Sequence, residues 1–206
     1  MARWPAAGRC KRRLAKNLGM VRAAAIQNRL TKHTLTVANS IAARNLIEMQ
    51  LAITGLAPKA AKRWGLDQGV STVAHQGNGN LGERMRRQVL RAQQRRHPQT
   101  ITGRTTLLIG TDLPNLCERD LLQALEALEK HELVIGPAND GGYWLLGLSR
   151  GLVQPVASWP FCGIPWGSNQ VMELTLQKAQ CAGITPGLLR KQNDLDCLED
   201  LAPWQA

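Results

Sequence analysis

Three acidic points in a basic chain carry the chemistry for which this sequence can be read. They are Asp112, Asp140 and the pair Asp194 and Asp196. Each sits in a stretch marked as a loop: Gly-Thr-Asp-Leu-Pro at 110–114, Asn-Asp-Gly-Gly at 139–142 and Asn-Asp-Leu-Asp at 193–196. One acid at a strand end is often a cap or a surface residue; three at loops of a basic protein are harder to dismiss. Hard carboxylate oxygens suit Mg²⁺ or Mn²⁺, which binds through one or two carboxylates plus substrate phosphates. A metal so held bridges a diphosphate and neutralises charge on the leaving group. Cations stand at the other end of the chain, where Arg9, Lys11, Arg12 and Arg13 follow the loop Pro5-Ala6-Ala7-Gly8. Amides and cations at a helix start make a ready anion site. A solvated basic tail is the plainer alternative. No Ser/His/Asp or Cys/His set with a recognisable motif is present, which disfavours nucleophilic catalysis.

The elements that must position these residues are legible from the apolar pattern. Leu107-Leu108-Ile109 reads as a short strand buried on both faces. An amphipathic helix follows, with Leu121, Leu125 and Leu128 on one stripe. Glu118 and Asp120 lie in its first turn, where the helix dipole favours acids. Leu133-Val134-Ile135 reads as a second strand, leading to the loop Pro-Ala-Asn-Asp-Gly-Gly-Tyr-Trp. Strand, helix and strand, with an acid past each strand, make a βαβ unit with its site at the carboxyl edge of the sheet.

Earlier in the chain, residues 21–44 read as a long helix with Ile26, Leu30, Val37 and Ile41 on one face. Residues 49–53 read as a strand, 58–64 as a short helix and 70–75 as a strand ending at His75. Gln76-Gly77-Asn78-Gly79-Asn80 is a glycine-rich loop opening a helix that runs to about Arg96. Leu81, Met85 and Val89 face inward, and Arg84, Arg87, Arg91 and Arg95 form a solvated stripe. Pro155 and Pro160 make 152–161 irregular. Ser168 is the expected N-cap of a helix over 168–182, and 184–189 the expected last strand.

The 206 residues suffice for one domain with a sizeable core. No apolar run approaches the ~20 residues that span a bilayer, and no apolar signal core follows the charged N-terminus; a cytoplasmic protein is the expectation. The five cysteines form no C-x-x-C pair and read as reduced thiols, mostly buried or incidental. Charge is unevenly placed: residues 1–104 hold 20 Lys and Arg against 3 acids, and residues 105–206 hold 6 against 12. That asymmetry suits a polyanionic ligand with a metal, and nucleic acid as a rival.

The runs PAAGRCKRRLA, QGNGNLGERM, GTDLP, GPANDGGYWLLGL, IPWGSNQV and NDLDCLEDL, in this order, resemble the bacterial glycosyltransferase-like family found beside radical-SAM proteins and linked to arsenosugar biosynthesis. That family is similar in turn to 2-phospho-lactate guanylyltransferase and to the nucleotide-diphospho-sugar transferase superfamily with the GT-A fold. The resemblance covers nearly the whole chain. It implies a single α/β domain over 1–206, Rossmann-like with three α/β/α layers and a mainly parallel mixed sheet, whose first strand is largely missing. It also implies a divalent cation, Mg²⁺ or Mn²⁺, a nucleotide or nucleotide-sugar donor and a small-molecule acceptor.

Carried over by position, the resemblance gives nucleotide contacts to Gly8, Arg9, Lys11 and Arg13, and to Gln76, Gly79, Gly82, Glu83 and Arg84, with Leu81 in the same loop. Asp112 and Asp196 become the metal ligands. Asp112 and Asp140 become the catalytic acids, and Asp140, Gly141, Gly142 and Trp166 face the transferred group. This sequence departs from the family pattern at three points. Arg12 stands where Lys-Thr-Arg-Leu has Thr, Asn80 stands where an acid is usual, and Cys197 replaces a common Thr. Because the phosphate loop begins at residue 5, a longer reading frame with an upstream apolar segment is also expected; a product that folds poorly is the contrary expectation.

The leading reading is metal-dependent transfer of a sugar from a nucleotide diphosphate sugar. The alternative is nucleotidyl transfer, joining an NTP to a phosphorylated small acid with release of pyrophosphate. A basic nucleic-acid-binding module is a distant third, because one Tyr and one Phe offer little for base stacking.

Overall fold

The computed structural model describes residues 1–94 and 104–204. The expected end of the 81–96 helix, with Arg95 and Arg96, lies outside them. The chain divides into two compact units. The first comprises Met1–His75, Gly110–Glu118 and Asn193–Ala206; the second comprises Gln76–Ile109 and Arg119–Gln192.

The first unit is built on a parallel sheet of three short strands in the order β1 (Ala2–Arg3), β2 (Leu51–Thr54), β3 (Val73–His75). Where the sequence leads one to expect a first strand that is largely missing, β1 is two residues long and pairs with Ile53 and Thr54. Strand β2 is buried over Leu51, Ala52 and Ile53 rather than alternating, as a parallel strand covered on both faces should be. Its core gathers Ala2, Leu35, Leu51, Ile53, Ala61, Trp64 and Val70. Trp4 meets Trp64 edge-on at 5.3 Å. Helix α3 (Pro58–Asp67) starts with Pro at its first position, where the missing N–H costs nothing.

Two helices precede β2. Helix α1 (Arg12–Leu18) ends at Gly19, whose φ of 82° allows the chain to turn directly into α2 (Met20–Ala43). The buried stripe of α2 runs through Ala23, Gln27, Leu30, Thr31, Thr34, Leu35, Ala38 and Ile41. Ile26 and Val37, expected on that face, are only half-buried. Small and hydrogen-bonded polar residues take the innermost places instead; Thr31 donates to the Gln27 carbonyl at 2.9 Å. A second apolar cluster joins Leu14 of α1, Leu30 of α2 and Leu195 near the C-terminus.

The second unit holds a mixed sheet in the order β4-β6-β5-β7: β4 (Thr106–Ile109), β5 (Leu133–Pro137), β6 (Tyr143–Leu148) and β7 (Gly187–Leu188). The expected strand-helix-strand unit is present as β4, α5 (Glu118–Lys130) and β5. However, β4 and β5 are not neighbours. Strand β6 lies between them, antiparallel to both. Tyr143 and Trp144, which look like loop in the sequence, open this strand, and Trp144–Leu148 are all buried; a central strand covered on both faces shows no alternation to read. Leu121 and Leu128 of α5 are buried as expected and Leu125 is half-buried. Asp120 is also buried: Arg190 grips it from two nitrogens, Nε on Oδ1 and Nη2 on Oδ2 at 2.7 Å.

The second unit also carries α4 (Leu81–Gln94), α6 (Arg150–Val153) and α7 (Val171–Cys181). Helix α7 begins three residues later than expected. Ser168 does not cap it directly; its hydroxyl accepts the Gln170 N–H at 3.2 Å. A final 3₁₀ turn covers Glu199–Trp204 in the first unit. Among the described residues no helix is long and apolar enough to cross a membrane. None of the five cysteines forms a disulfide, and only Cys10 is buried; Cys117, Cys162 and Cys181 are exposed.

Candidate functional site

Four of the residues singled out from sequence meet in the first unit. Lys11 Nζ lies 2.6 Å from Asp112 Oδ1 and 2.8 Å from Asp196 Oδ1, and Arg13 Nη2 lies 2.6 Å from Asp196 Oδ2. The Lys11 side chain is 2% exposed, whereas the two carboxylates are about 40% exposed. Solutes can therefore reach the acids while the ammonium is enclosed. Burial would push the Lys11 ammonium down, but the charges of Asp112 and Asp196 outweigh it and raise its pKa above the ordinary lysine value. Burial would likewise raise the Asp196 carboxyl; Lys11 and Arg13 hold it below the ordinary range. The Lys11 backbone adopts a left-handed conformation, φ 45° and ψ 49°, at the residue capping α1. Strain of this kind in a non-glycine residue collects at ligand sites.

Local structure explains why these side chains converge. The segment carrying Asp112 is pinned to α2 by a His33 ring nitrogen on the Leu116 carbonyl at 2.8 Å. The Leu195 N–H donates to the Asp112 carbonyl at 3.0 Å. Leu195 buries itself against Leu14 and Leu30, so its neighbour Asp196 is delivered to the start of α1, where Lys11 and Arg13 stand. Asp200 then holds the closing loop in shape. Its Oδ2 accepts the N–H groups of Asp196 at 2.7 Å and Cys197 at 2.8 Å, and its Oδ1 accepts Asn193 Nδ2 at 3.2 Å. Burial opposes ionisation of Asp200, and these donors outweigh it, keeping its carboxyl below the usual range. The Cys197 thiol is pushed up to about 11 by hydrogen bonds to Glu199 and then Asp200.

Gly8 and Arg9 precede this cluster without joining it. Gly8 makes the turn with φ 74°. Arg9 is exposed, and its carbonyl accepts Arg3 Nη1 at 3.1 Å.

The glycine-rich loop lies in the second unit and its residues serve one another. Asn80 and Glu83 form a capping box: Asn80 N–H donates to Glu83 Oε2 at 2.8 Å, and Glu83 N–H to Asn80 Oδ1 at 3.0 Å. The departure at Asn80 is thus a good helix cap, and Glu83 is committed to it. The arginine stripe is not simply a solvated face. Arg87 reaches back to the carbonyls of Gln76 at 2.5 Å and Asn78 at 3.0 Å. Arg84 donates to the Asn80 carbonyl at 3.3 Å and to Gln76 Oε1 at 3.4 Å. Gly79 takes φ 103°. Leu81, expected inward, is 37% exposed; Met85 and Val89 fill the core face. Gly82 is where α4 touches its surroundings: a Cβ there would lie 2.0 Å from the Phe161 carbonyl oxygen and 2.6 Å from Trp166 Nε1.

Asp140, Gly141 and Gly142 form the turn between β5 and β6. Asp140 is exposed, and its Oδ1 accepts the Gly142 N–H at 2.9 Å, an Asx turn. Gly141 takes φ 86°, with the Asn169 carbonyl oxygen 2.1 Å from where a Cβ would be. Trp166 packs edge-on to Tyr143 with ring centroids 6.1 Å apart. Sequence reading missed Asp200 and Arg87 as organisers. The signal for Asp200 lay in its position three to four residues after Asp196 and Cys197, a spacing at which a carboxylate can accept backbone amides.

Residues 36–168 match the bacterial family described as "Uncharacterized protein conserved in bacteria" (DUF2064). The chain belongs to this family. This DUF2064 member is similar to a solved protein from Desulfovibrio desulfuricans G20 titled "putative nucleotide-diphospho-sugar transferase", with 26% identity, a TM-score of 0.80, and 97% of this chain and 81% of that one covered. It is also similar in fold to a 4-diphosphocytidyl-2C-methyl-D-erythritol synthase from Anaerococcus prevotii DSM 20548, at 12% identity and a TM-score of 0.56, over 84% of this chain and 85% of that one. No curated protein matches the sequence. The fold is therefore a mixed α/β fold of the nucleotide-diphospho-sugar transferase kind.

The divalent cation expected from the sequence resemblance finds residues of suitable donor type here. Asp112 and Asp196 offer hard oxygens at accessible positions. Among the described residues no three His, Cys, Asp or Glu side chains gather to hold a metal. A cation at these two acids would complete its shell from ligand and water.

Proposed function

We propose that this DUF2064 protein is a glycosyltransferase that takes a sugar from a nucleotide diphosphate sugar to a small-molecule acceptor. The observation that carries the reading is the interleaving of Lys11 and Arg13, at the strained start of α1, with Asp112 and Asp196 from two other segments. Cations placed among accessible carboxylates serve a ligand that brings both phosphate and metal. The similarity to the Desulfovibrio protein, by its printed name, supports the same class.

In this reading Lys11 and Arg13 bind the diphosphate oxygens, and Arg13, exposed by 68%, is free to turn toward them. Asp112 and Asp196 would hold the divalent cation. When bound, that cation supplies neutralisation of the charge that develops on the departing diphosphate. The bond between the anomeric carbon and the diphosphate oxygen breaks, the acceptor oxygen takes the sugar and loses its proton, and a nucleoside diphosphate leaves. Asp200 positions Asp196 through the two backbone amides that it accepts. The association with radical-SAM proteins and arsenosugar synthesis is our proposal for the setting of the acceptor.

The exposed Arg9 and Arg12 beside the cluster favour a second reading, nucleotidyl transfer from an NTP. The two are separated by product. The protein is incubated with Mn²⁺, panels of nucleotide sugars or NTPs, and a mixture of small-molecule acceptors. Release of nucleoside diphosphate supports glycosyl transfer, release of pyrophosphate supports the second reading, and neither product from any panel contradicts both.

A further inference from the structure

Lys11 stands where a metal on Asp112 and Asp196 would have to compete with it. Its ammonium bridges one oxygen of each acid, and Arg13 takes the remaining oxygen of Asp196. The charges of the two acids are thus already matched by two side-chain cations. A dication approaching these oxygens meets an enclosed positive charge at ion-pair distance from both of its ligands, and that repulsion is strong in a partly desolvated site.

We propose that Lys11 is the resting counter-ion of the divalent-cation site. It yields Asp112 and Asp196 to a metal only when a phosphate is present to receive its ammonium. Three features support exchange rather than simple addition. The ammonium is a compact charge on a flexible stem with three donors, so it can follow a new anionic partner. Its two present partners are about 40% exposed as whole side chains, so a solute can reach each carboxylate, although the ammonium and the Asp112 Oδ1 that it meets are enclosed. The Lys11 carbonyl accepts the Ala15 N–H at 2.8 Å, which ties the root of the side chain to α1 while its ammonium is able to move. The device makes metal and nucleotide binding mutually dependent and keeps the site from loading metal alone. This inference rests on the nucleotide-phosphate reading given above.

The test is a titration of Mn²⁺ alone, followed by electron paramagnetic resonance of free Mn²⁺, on wild type, Lys11→Met, Lys11→Gln and Lys11→Arg. The neutral variants are expected to bind Mn²⁺ at least tenfold more tightly than wild type, and Lys11→Arg, which keeps the charge, no more tightly. Unchanged or weaker Mn²⁺ affinity in a folded neutral variant, judged by near-ultraviolet circular dichroism, overturns the proposal. Wild type provides an independent arm if neither neutral variant folds. Its Mn²⁺ affinity should rise at least tenfold when a nucleoside diphosphate is bound, beyond the affinity that the free nucleoside diphosphate has for Mn²⁺ in the same titration. A nucleoside diphosphate that binds wild type without that gain overturns the exchange and leaves the nucleotide reading standing. Absence of any nucleotide binding overturns the nucleotide reading itself.

Discussion

Arg87→Ala should loosen the glycine-rich loop by a calculable amount. The Arg87 guanidinium donates to the Gln76 carbonyl at 2.5 Å and to the Asn78 carbonyl at 3.0 Å. A hydrogen bond from a charged donor contributes about 1.5–3 kcal/mol when buried. Arg87 is only half-buried, so about 1 kcal/mol each is the reasonable share, about 2 kcal/mol together. Those bonds hold the loop and not the core, so the loss should appear as easier local opening. At 1.36 kcal/mol per factor of ten, the Asn80 and Glu83 amides, protected by the capping box, should exchange roughly 30-fold faster. Hydrogen–deuterium exchange read by mass spectrometry or NMR measures this directly. Arg91→Ala is the control, since Arg91 donates to Gln88 on its own helix. Exchange changed by less than twofold in Arg87→Ala, or equally in both variants, would refute the idea that this arginine organises the loop.

Three further outcomes are expected. Gly82→Ala places a Cβ 2.0 Å from the Phe161 carbonyl oxygen, so overpacking should cost about 1–3 kcal/mol and lower the melting temperature, while Gly110→Ala, with nothing within 4 Å, should melt like wild type. Arg190→Met leaves Asp120 buried without its main counter-charge; the loss should be about 2 kcal/mol in chemical denaturation, below the range for a fully buried pair because Arg190 is half-exposed. Asp120→Asn should recover much of it, and additive losses would show that the two residues are not coupled. Cys197, with its thiol at about 11, should resist iodoacetamide at pH 8 while the exposed Cys117, Cys162 and Cys181 label. Because the raised value keeps the thiol protonated, Cys197 labelling should climb as pH rises toward 11, and peptide mass mapping of the alkylated sites will show whether it does.

How much was legible in the sequence differed by element. Helices α2, α4 and α5 announced themselves through apolar spacing or a glycine-rich start, because each buries one stripe. Strand β6 did not, because it is buried on both faces and follows a turn that looks like continuing loop. The convergence of Lys11 with Asp112 and Asp196 depends on contacts 101 and 185 residues apart; position in a family pattern suggested it, and local pattern could not. The roles of Asn80 and Glu83 were readable in principle, since Asn-x-x-Glu before a helix is a capping signature, but the glycines beside them drew attention to ligand binding instead. The Arg87 clamp and the Asp120–Arg190 pair were hidden because a charged residue on a helix gives no sequence sign of whether it faces solvent or a carbonyl.

The central claim is that the Lys11, Arg13, Asp112 and Asp196 cluster holds a nucleotide diphosphate together with a divalent cation. The most direct measurement is a thermal-shift titration of nucleoside diphosphates, with and without Mn²⁺, on wild type and Asp112→Ala. A ligand that binds only the folded state must raise its apparent stability. The account requires that at least one nucleoside diphosphate stabilises wild type in a Mn²⁺-dependent way and that Asp112→Ala loses the effect. A cooperatively melting wild type that no nucleotide shifts, or a shift that survives intact in Asp112→Ala, would contradict it.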